Sequence, residues 1–127
     1  MKKTISLLIG ILFVGILSAQ SNTTNSNENI IDPVYPGGLS EMSAFLSENL
    51  VYPEKSQKKR VEGRVLLSFI IEKNGSISHV TVEEGLDKKC NKEAIRVVKL
   101  MPNWTPGTKD GKPVRVMFKL PIRFSLN

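Results

Sequence analysis

The fold is decided by residues 91–124, whose sequence is NKEAIRVVKLMPNWTPGTKDGKPVRVMFKLPIRF. Asn91 is a favourable helix N-cap. After it, apolar residues recur at the spacing of one helical face: Ala94, Val97, Val98 and Met101. Pro102 disfavours the helical conformation at the residue before it. The stretch therefore begins with a predicted amphipathic helix that ends near residue 101, followed by a tight connection.

From Val114 the apolar period changes from that of a helix to two. One set of alternate residues is apolar: Val114, Val116, Phe118, Leu120, Ile122 and Phe124. The other set is mainly basic: Arg115, Met117, Lys119, Pro121 and Arg123. This alternation predicts a long final strand with one buried face.

Pro121 predicts where this strand lies in its sheet. Because proline has no backbone N–H, it belongs on an edge strand, with the missing donor directed away from the paired neighbour. Backbone groups alternate in direction, so the polar groups of Arg115, Met117, Lys119 and Arg123 should point the same way, outward. We expect a basic, unpaired strand edge, to which a peptide can add as a further strand. The basic side chains either bind that partner or protect the edge from aggregation, and the sequence leaves both open.

The preceding residues supply the other elements. A helical stripe runs over residues 39–49, and residues 61–72 are apolar on both alternating faces, as in a central strand. Asn74-Gly75 predicts a two-residue hairpin turn into a returning strand at residues 77–83. We therefore predict an α+β fold with two helices and a three-stranded antiparallel or mixed sheet of order 2-1-3. Its β-β-α-β core is preceded by an N-terminal helix, and the last strand is at an edge.

The first residues are typical of a secretory leader. Lys2-Lys3 precedes an apolar run from Ile5 to Leu17, and the small residues Ser18-Ala19 follow. We expect a signal peptide over residues 1–19, with an uncleaved anchor as the alternative, and a disordered linker over residues 20–32. Residues 33–127 form the predicted domain. The net charge is +6, yet no stacking aromatics interleave the basic run at residues 55–60, so we expect no nucleic-acid partner.

No catalytic or metal-binding set is apparent in the sequence. Cys90 is the only cysteine and His79 the only histidine, and neither has partners at the spacing of a metal site or a catalytic group. We expect a partly buried thiol and an exposed imidazole. Trp104 is expected to anchor its turn against the core. The prediction is a protein without catalytic residues, metal or cofactor, and not an enzyme.

Several short motifs, in their order and spacing, carry a family resemblance: Tyr52-Pro53, Val61-Glu62-Gly63, Asn74-Gly75, Glu93-Ala94, Met101-Pro102-x-Trp104-x-Pro106-Gly107, Gly111-Lys112-Pro113-Val114 and Leu120-Pro121-Ile122-x-Phe124. Over roughly residues 33–124 the chain resembles the C-terminal domain of TonB, the periplasmic energy transducer, in the version found in Bacteroidota. The resemblance implies a domain that binds the TonB box, an extended peptide of an outer-membrane receptor. A proton-driven inner-membrane motor then pulls on that peptide, which opens the receptor for transport.

The resemblance also implies site residues. The peptide would add beside the last strand, next to Arg115, Met117, Lys119, Pro121 and Arg123. Asn49, Tyr52 and Pro53 are further contact candidates, because receptors of the family touch the Tyr-Pro turn. Glutamines that flank this turn in some members are replaced here by Leu50 and Val51.

The chain departs from a complete transducer. It has a leader and about a dozen linker residues in place of an anchor and a long periplasmic arm, so we expect that it cannot join the two membranes alone. It is either a minimal transducer, anchored in the inner membrane, or an exported periplasmic adaptor without motor coupling. The alternative function is a self-associating structural domain, a homodimer that pairs through the same edge.

Overall fold

The computed structural model describes the backbone of residues 14–16 and all of residues 29–126. The rest of the predicted leader and linker, residues 1–13 and 17–28, lies outside the described residues. The elements in chain order are β1 (Val14–Ile16), β2 (Ile30–Ile31), α1 (Leu39–Asn49), α2 (Glu54–Lys58), β3 (Gly63–Ile71), β4 (Ile77–Glu84), α3 (Lys88–Lys99), β5 (Gly107–Lys109), β6 (Lys112–Val114) and β7 (Val116–Phe124).

The main sheet has the order β1-β7-β3-β4, and all its neighbouring strands are antiparallel. The central strand β3 pairs with β7 without interruption, from Gly63 opposite Phe124 to Ile71 opposite Val116. The α+β class is thus correct, but the sheet has four strands where three were predicted. The additional strand is β1, which comes from the predicted leader.

Strand β1 occupies part of the edge that was predicted to be open. Val14 lies opposite Phe118, Gly15 opposite Met117 and Ile16 opposite Val116. The prediction that the last strand is unpaired on its outer side is therefore wrong for these three positions. The physical reason is the one that makes open edges hazardous, since a row of unpaired N–H and C=O groups accepts any extended segment within reach. Beside residues 119–124, no strand in the described part of the chain pairs with this side of β7.

The core lies between the sheet and the helices. Facing residues of β3 and β7 are buried as pairs: Val65 with Ile122, Leu67 with Leu120, Phe69 with Phe118, and Ile71 with Val116. Met42 and Leu46 of α1 and Val97 and Val98 of α3 are fully buried against them. Each such side chain contributes about 1.5–3 kcal/mol of transfer free energy, so this face fixes the register of β7.

A second, smaller sheet of order β2-β5-β6 was not predicted. Val114 belongs to β6 and pairs with Gly107 in a hairpin, so the final strand begins at Val116 and not at Val114. Asp110 and Gly111 have φ of 52° and 80° and form the turn, as Asp-Gly often does. Strand β2 pairs with β5, which corrects the linker: residues 30 and 31 are part of the fold.

The helices also differ from the prediction. The N-cap of α3 is Asp87, whose carboxylate accepts a hydrogen bond of 2.7 Å from the Cys90 N–H, so the assignment of Asn91 is wrong. The Asn91 side chain instead accepts a hydrogen bond of 2.8 Å from the Leu86 N–H. The short helix α2 was not predicted. Among the described residues, no helix has the length and apolar character needed to cross a bilayer.

The turn between β3 and β4 joins the hairpin to the segment that leads into the small sheet. Ile71 pairs with Ile77, and the Gly75 N–H bonds the Glu72 carbonyl at 2.8 Å, so the turn is longer than the predicted two residues. Gly75 has a φ of 88°, and its carbonyl accepts a hydrogen bond of 2.8 Å from the Trp104 N–H. A Cβ at residue 75 would lie 1.9 Å from the Trp104 carbonyl oxygen.

This contact predicts that Gly75→Ala is severely destabilising. We expect a loss of about 2–4 kcal/mol in the free energy of unfolding, because an alanine there is strained and also collides with backbone. The matched control is Gly111→Ala, at a φ of 80° with open space around the new methyl group. It should cost only about 1–2 kcal/mol. Urea unfolding of both variants measures the difference, and equal losses would contradict the close contact.

Candidate functional site

The candidate site is the docking edge, which we define as the backbone N–H and C=O groups of residues 116–124 that point away from β3. Pro121 lies opposite Leu66 and has no N–H to donate. In an antiparallel pair, residues that exchange both hydrogen bonds alternate with residues that exchange none. The register runs without a bulge, so residues 117, 119 and 123 share the orientation of Pro121. We infer that their polar groups point away from β3.

Arg115, just before β7, is held by an acidic partner. Its Nε lies 2.7 Å from Glu72 Oε1, and its Nη2 lies 3.3 Å from Glu72 Oε2. The hydrogen bond from Arg115, with a second one from the Ser78 hydroxyl, lowers the pKa of Glu72. No local pattern in the sequence indicates this pair, because 43 residues separate its members.

The other predicted side chains of the strand differ from one another in exposure. Met117 and Lys119 are half-buried opposite Ile70 and Ser68, and Pro121 is buried. Arg123 is exposed and lies directly opposite Arg64. Arg64 forms an ion pair of 3.2 Å with Glu84, whereas Arg123 has no hydrogen bond or ion pair with another described residue.

The contact candidates around the Tyr-Pro turn are only partly accessible. Tyr52 is 4% exposed; its hydroxyl donates to the Val61 carbonyl and its ring packs 5.4 Å from that of Phe124. The side chain therefore belongs to the core, and a contact of Tyr52 with a partner stays a prediction. The Asn49 amide caps its own helix by donating to the Phe45 carbonyl at 2.8 Å.

Pro53 is half-buried beside a shallow groove. The groove has a volume of about 270 Å³ and lies between the turn and α3. Val51, 61% exposed, provides apolar surface there. The lining residues are Val51, Pro53, Lys89, Lys92, Glu93 and Arg96. The Glu93 carboxylate accepts hydrogen bonds from the Val51 N–H at 2.6 Å and from Arg96, which fixes the turn on the helix.

The remaining residues noted in the sequence are placed as follows. Cys90 is fully buried, and burial raises the pKa of its thiol to about 11, so little thiolate forms near neutral pH. His79 is exposed at an irregularity in β4, with a φ of 52°. Within residues 29–126, no three His, Cys, Asp or Glu side chains are grouped so as to hold a metal ion.

Trp104 anchors the start of the strand, as predicted. Its ring packs edge-on against Tyr35, Phe69 and Phe118, at centroid distances of 5.6, 5.9 and 4.8 Å. This cluster fixes the end of the connection before β5 against the helix-facing side of the sheet.

A comparison with protein families gives a match over residues 48–126 to the model described as Gram-negative bacterial TonB protein C-terminal. The chain belongs to the TonB C-terminal domain family. The resemblance seen in the sequence is therefore confirmed. A comparison with curated proteins gives no significant match.

Two solved structures of a TonB C-terminal domain have the same fold. Both are NMR solution structures of the Helicobacter pylori domain. The structure of residues 179–285 has a TM-score of 0.53 and 28% identity, covering 72% of this chain and 87% of that one. The structure of residues 194–285 has a TM-score of 0.51 and 27% identity, covering 69% and 92%.

Membership of the TonB family gives a general setting for the site. TonB C-terminal domains are periplasmic in Gram-negative bacteria, take part in TonB-dependent transport and interact with TonB-dependent outer-membrane receptors. The side of β7 beside residues 119–124, where no described strand pairs, the groove beside Pro53 and the exposed Arg123 are surface features of this member.

Proposed function

We propose that this TonB-family domain binds an extended peptide, the TonB box of an outer-membrane receptor, by strand addition at the docking edge. It acts as a binding module and not as an enzyme. The observation that carries the proposal is the position of β1, which lies antiparallel beside Val116–Phe118. A segment from outside the domain thus occupies the side of β7 that a receptor peptide would use.

Main-chain hydrogen bonds would supply most of the binding free energy at this edge. Such bonds do not depend on the identity of the partner's side chains, so one domain can serve receptors of different sequence. Side chains beside the edge, Met117, Lys119 and Arg123, would set preferences among partners. A pulling force along the added strand would load several of these bonds together, which suits a mechanical connector.

The cellular part of the proposal depends on the leader. If residues 1–19 stay attached, the domain is held at the inner membrane and can couple to a proton-driven motor. If they are removed, the protein is a periplasmic adaptor. In both cases the receptor peptide is the partner, and neither a cofactor nor nucleic acid takes part.

A second candidate function uses the same edge for self-association. It is favoured by the part of β7 beside residues 119–124, which has no strand partner among the described residues. An identical strand of a second copy would extend the sheet across a two-fold axis. Light scattering over a hundredfold range of concentration separates the two functions, because only self-association makes the mass depend on concentration.

The main prediction concerns a synthetic peptide with the N-terminal sequence of a receptor from the same bacterium. We expect backbone amide shifts in an NMR titration to be largest at residues 116–124. Residues 77–84 of β4, at the opposite edge of the sheet, serve as the internal control. Shifts confined to β4 would contradict the proposal.

The orientation of β7 leads to a second prediction. In a chain beginning at Gln20, which lacks β1, Met117→Pro should weaken peptide binding at least about fivefold, since it removes one outward N–H whose hydrogen bond contributes about 1 kcal/mol. The fold should survive, as it does with proline at residue 121. Phe118→Pro is the matched control, because its N–H faces β3 and its loss should destabilise the domain. Global unfolding of Met117→Pro would show that the inferred orientation is reversed.

The position of β1 leads to a third prediction. The full chain should bind the receptor peptide more weakly than a chain beginning at Gln20, because β1 must first leave Val116–Phe118. Isothermal titration calorimetry of both proteins measures the difference. Gly15→Pro in the full chain should recover much of the lost affinity, since it removes the N–H opposite Met117. Equal affinities of the full and shortened chains would show that β1 does not compete.

A further inference from the structure

A basic cavity lies where α2 meets the start of α3. The buried Ser56 hydroxyl donates a hydrogen bond of 2.7 Å to the Asp87 carboxylate, which holds the two segments together. The cavity has a volume of about 200 Å³, and its lining residues are Lys55, Ser56, Lys59, Asp87, Lys88 and Lys89. Because 31 residues separate Ser56 from Asp87, the basic run at residues 55–60 alone does not predict the two lysines that join it.

The domain does not neutralise the four lysines of this cavity. All four are exposed, and none makes a hydrogen bond or an ion pair with a residue in the described part of the chain. The one carboxylate that lines the cavity, Asp87, already accepts hydrogen bonds from the Ser56 hydroxyl and the Cys90 N–H. Four ammonium groups and one carboxylate leave an excess of three positive charges, so the cavity attracts anions.

The groove beside Pro53 continues this surface. Lys89 lines both the cavity and the groove, and the exposed Lys92 adds a further cation without an ion pair to a described residue. Glu93 is paired with Arg96 and does not neutralise these lysines. Val51, 61% exposed, adds an aliphatic side chain. We define the basic face as Lys55, Lys59, Lys88, Lys89, Lys92 and Val51.

The composition of the basic face favours a membrane surface over a small soluble anion. Five ammonium groups from two segments of the chain match a layer of phosphate groups better than they match one phosphate. An exposed aliphatic side chain gains free energy only where the partner offers an apolar region. A bilayer with anionic phospholipids offers both. The periplasm, where TonB C-terminal domains are found, is bounded by two bilayers.

The basic face and the docking edge belong to different parts of the domain. Helix α3 packs on β3 and β4. The docking edge is the side of β7 that points away from β3, at the other side of the sheet from β4. A bilayer at the basic face would therefore leave the docking edge accessible to a peptide.

We propose that the basic face binds the surface of a bilayer that contains anionic phospholipids. The lysine ammonium groups contact the headgroup phosphates, and Val51 lies at the boundary between the headgroups and the acyl chains. This proposal goes beyond the proposed function, because such binding holds the domain at a membrane without its leader and without a receptor. Segments α2 and α3 then face the bilayer.

Co-sedimentation with lipid vesicles tests the proposal. The protein is the chain beginning at Gln20, so that the apolar leader cannot insert into the vesicles. This part contains the whole buried core, which lies between residues 35 and 124, and the corresponding Helicobacter pylori domain was solved in solution as an isolated fragment. The vesicles consist of phosphatidylcholine alone or with about one-third phosphatidylglycerol. We expect binding only to the second kind, and weaker binding at high salt.

Lys59→Gln combined with Lys88→Gln removes one cation from each segment of the cavity. The affinity for anionic vesicles should fall at least about tenfold, because each lysine near an anionic surface contributes about fivefold. The matched control combines Lys73→Gln with Lys112→Gln, two exposed lysines near the end of the sheet where Ile71 lies opposite Val116. It removes the same charge and should change the affinity by less than about twofold.

Three results would overturn the proposal. The first is no binding to anionic vesicles, and the second is an equal loss in both double variants, which would indicate attraction by net charge alone. The third is a soluble-anion site: millimolar inorganic phosphate shifts the amides of residues 55–59 and 88–92 in NMR spectra, but vesicles do not bind. An unchanged vesicle affinity of Val51→Ser would overturn the apolar contact.

The receptor-peptide titration keeps this proposal separate from the proposed function. The double variant of Lys59 and Lys88 should show the same peptide-induced shifts at residues 116–124 as the unchanged sequence, because it leaves the docking edge intact. Loss of lipid binding with these shifts retained would support two independent surfaces. Loss of the peptide shifts as well would overturn that separation, and thermal unfolding of the variant would show whether the fold had been lost.

Discussion

The structure depends on one constraint, the continuous pairing of β7 with β3 in a single register. Every second residue of β7 is buried against β3 and the helices, so a shift by one residue would turn Phe118, Leu120 and Ile122 outward. Pro121 then determines which backbone groups face away from β3. Packing and hydrogen bonding thus fix the docking edge together, and no flexible loop is needed to form it.

Much of this could be predicted from the sequence, because the signal lies in the alternation of residues 116–124. The helix stripe, the central strand and the role of Trp104 follow from local patterns of the same kind. The cap of α3 was misassigned because Asp87 and Asn91 are both good cap residues, and only packing selects between them. The β5–β6 hairpin had a local signal in Asp110-Gly111, but the long alternating pattern that follows obscured it.

What the sequence could not give are the contacts between distant residues. Glu72 pairs with Arg115 and Glu84 with Arg64, so carboxylates neutralise two of the cations near the final strand. Arg123 has no such partner among the described residues. Tyr52 belongs to a motif that suggests a surface contact, yet its ring is buried against Phe124. The pairing of β1 depends on an unpaired edge elsewhere in the chain. The sequence of residues 14–16 alone therefore does not predict that they pair with β7.

The short connection between β1 and the rest of the fold has a consequence for selectivity. Only twelve residues, 17–28, separate Ile16 from Asn29, where the described fold resumes. A short tether keeps an attached strand near its site at an effective concentration of about millimolar. When residues 14–16 lie beside β7 and not in the inner membrane, a free peptide must displace them, so extended sequences that bind weakly do not occupy the edge. Removal of the leader would also remove β1, and a receptor peptide of lower affinity could then bind the edge.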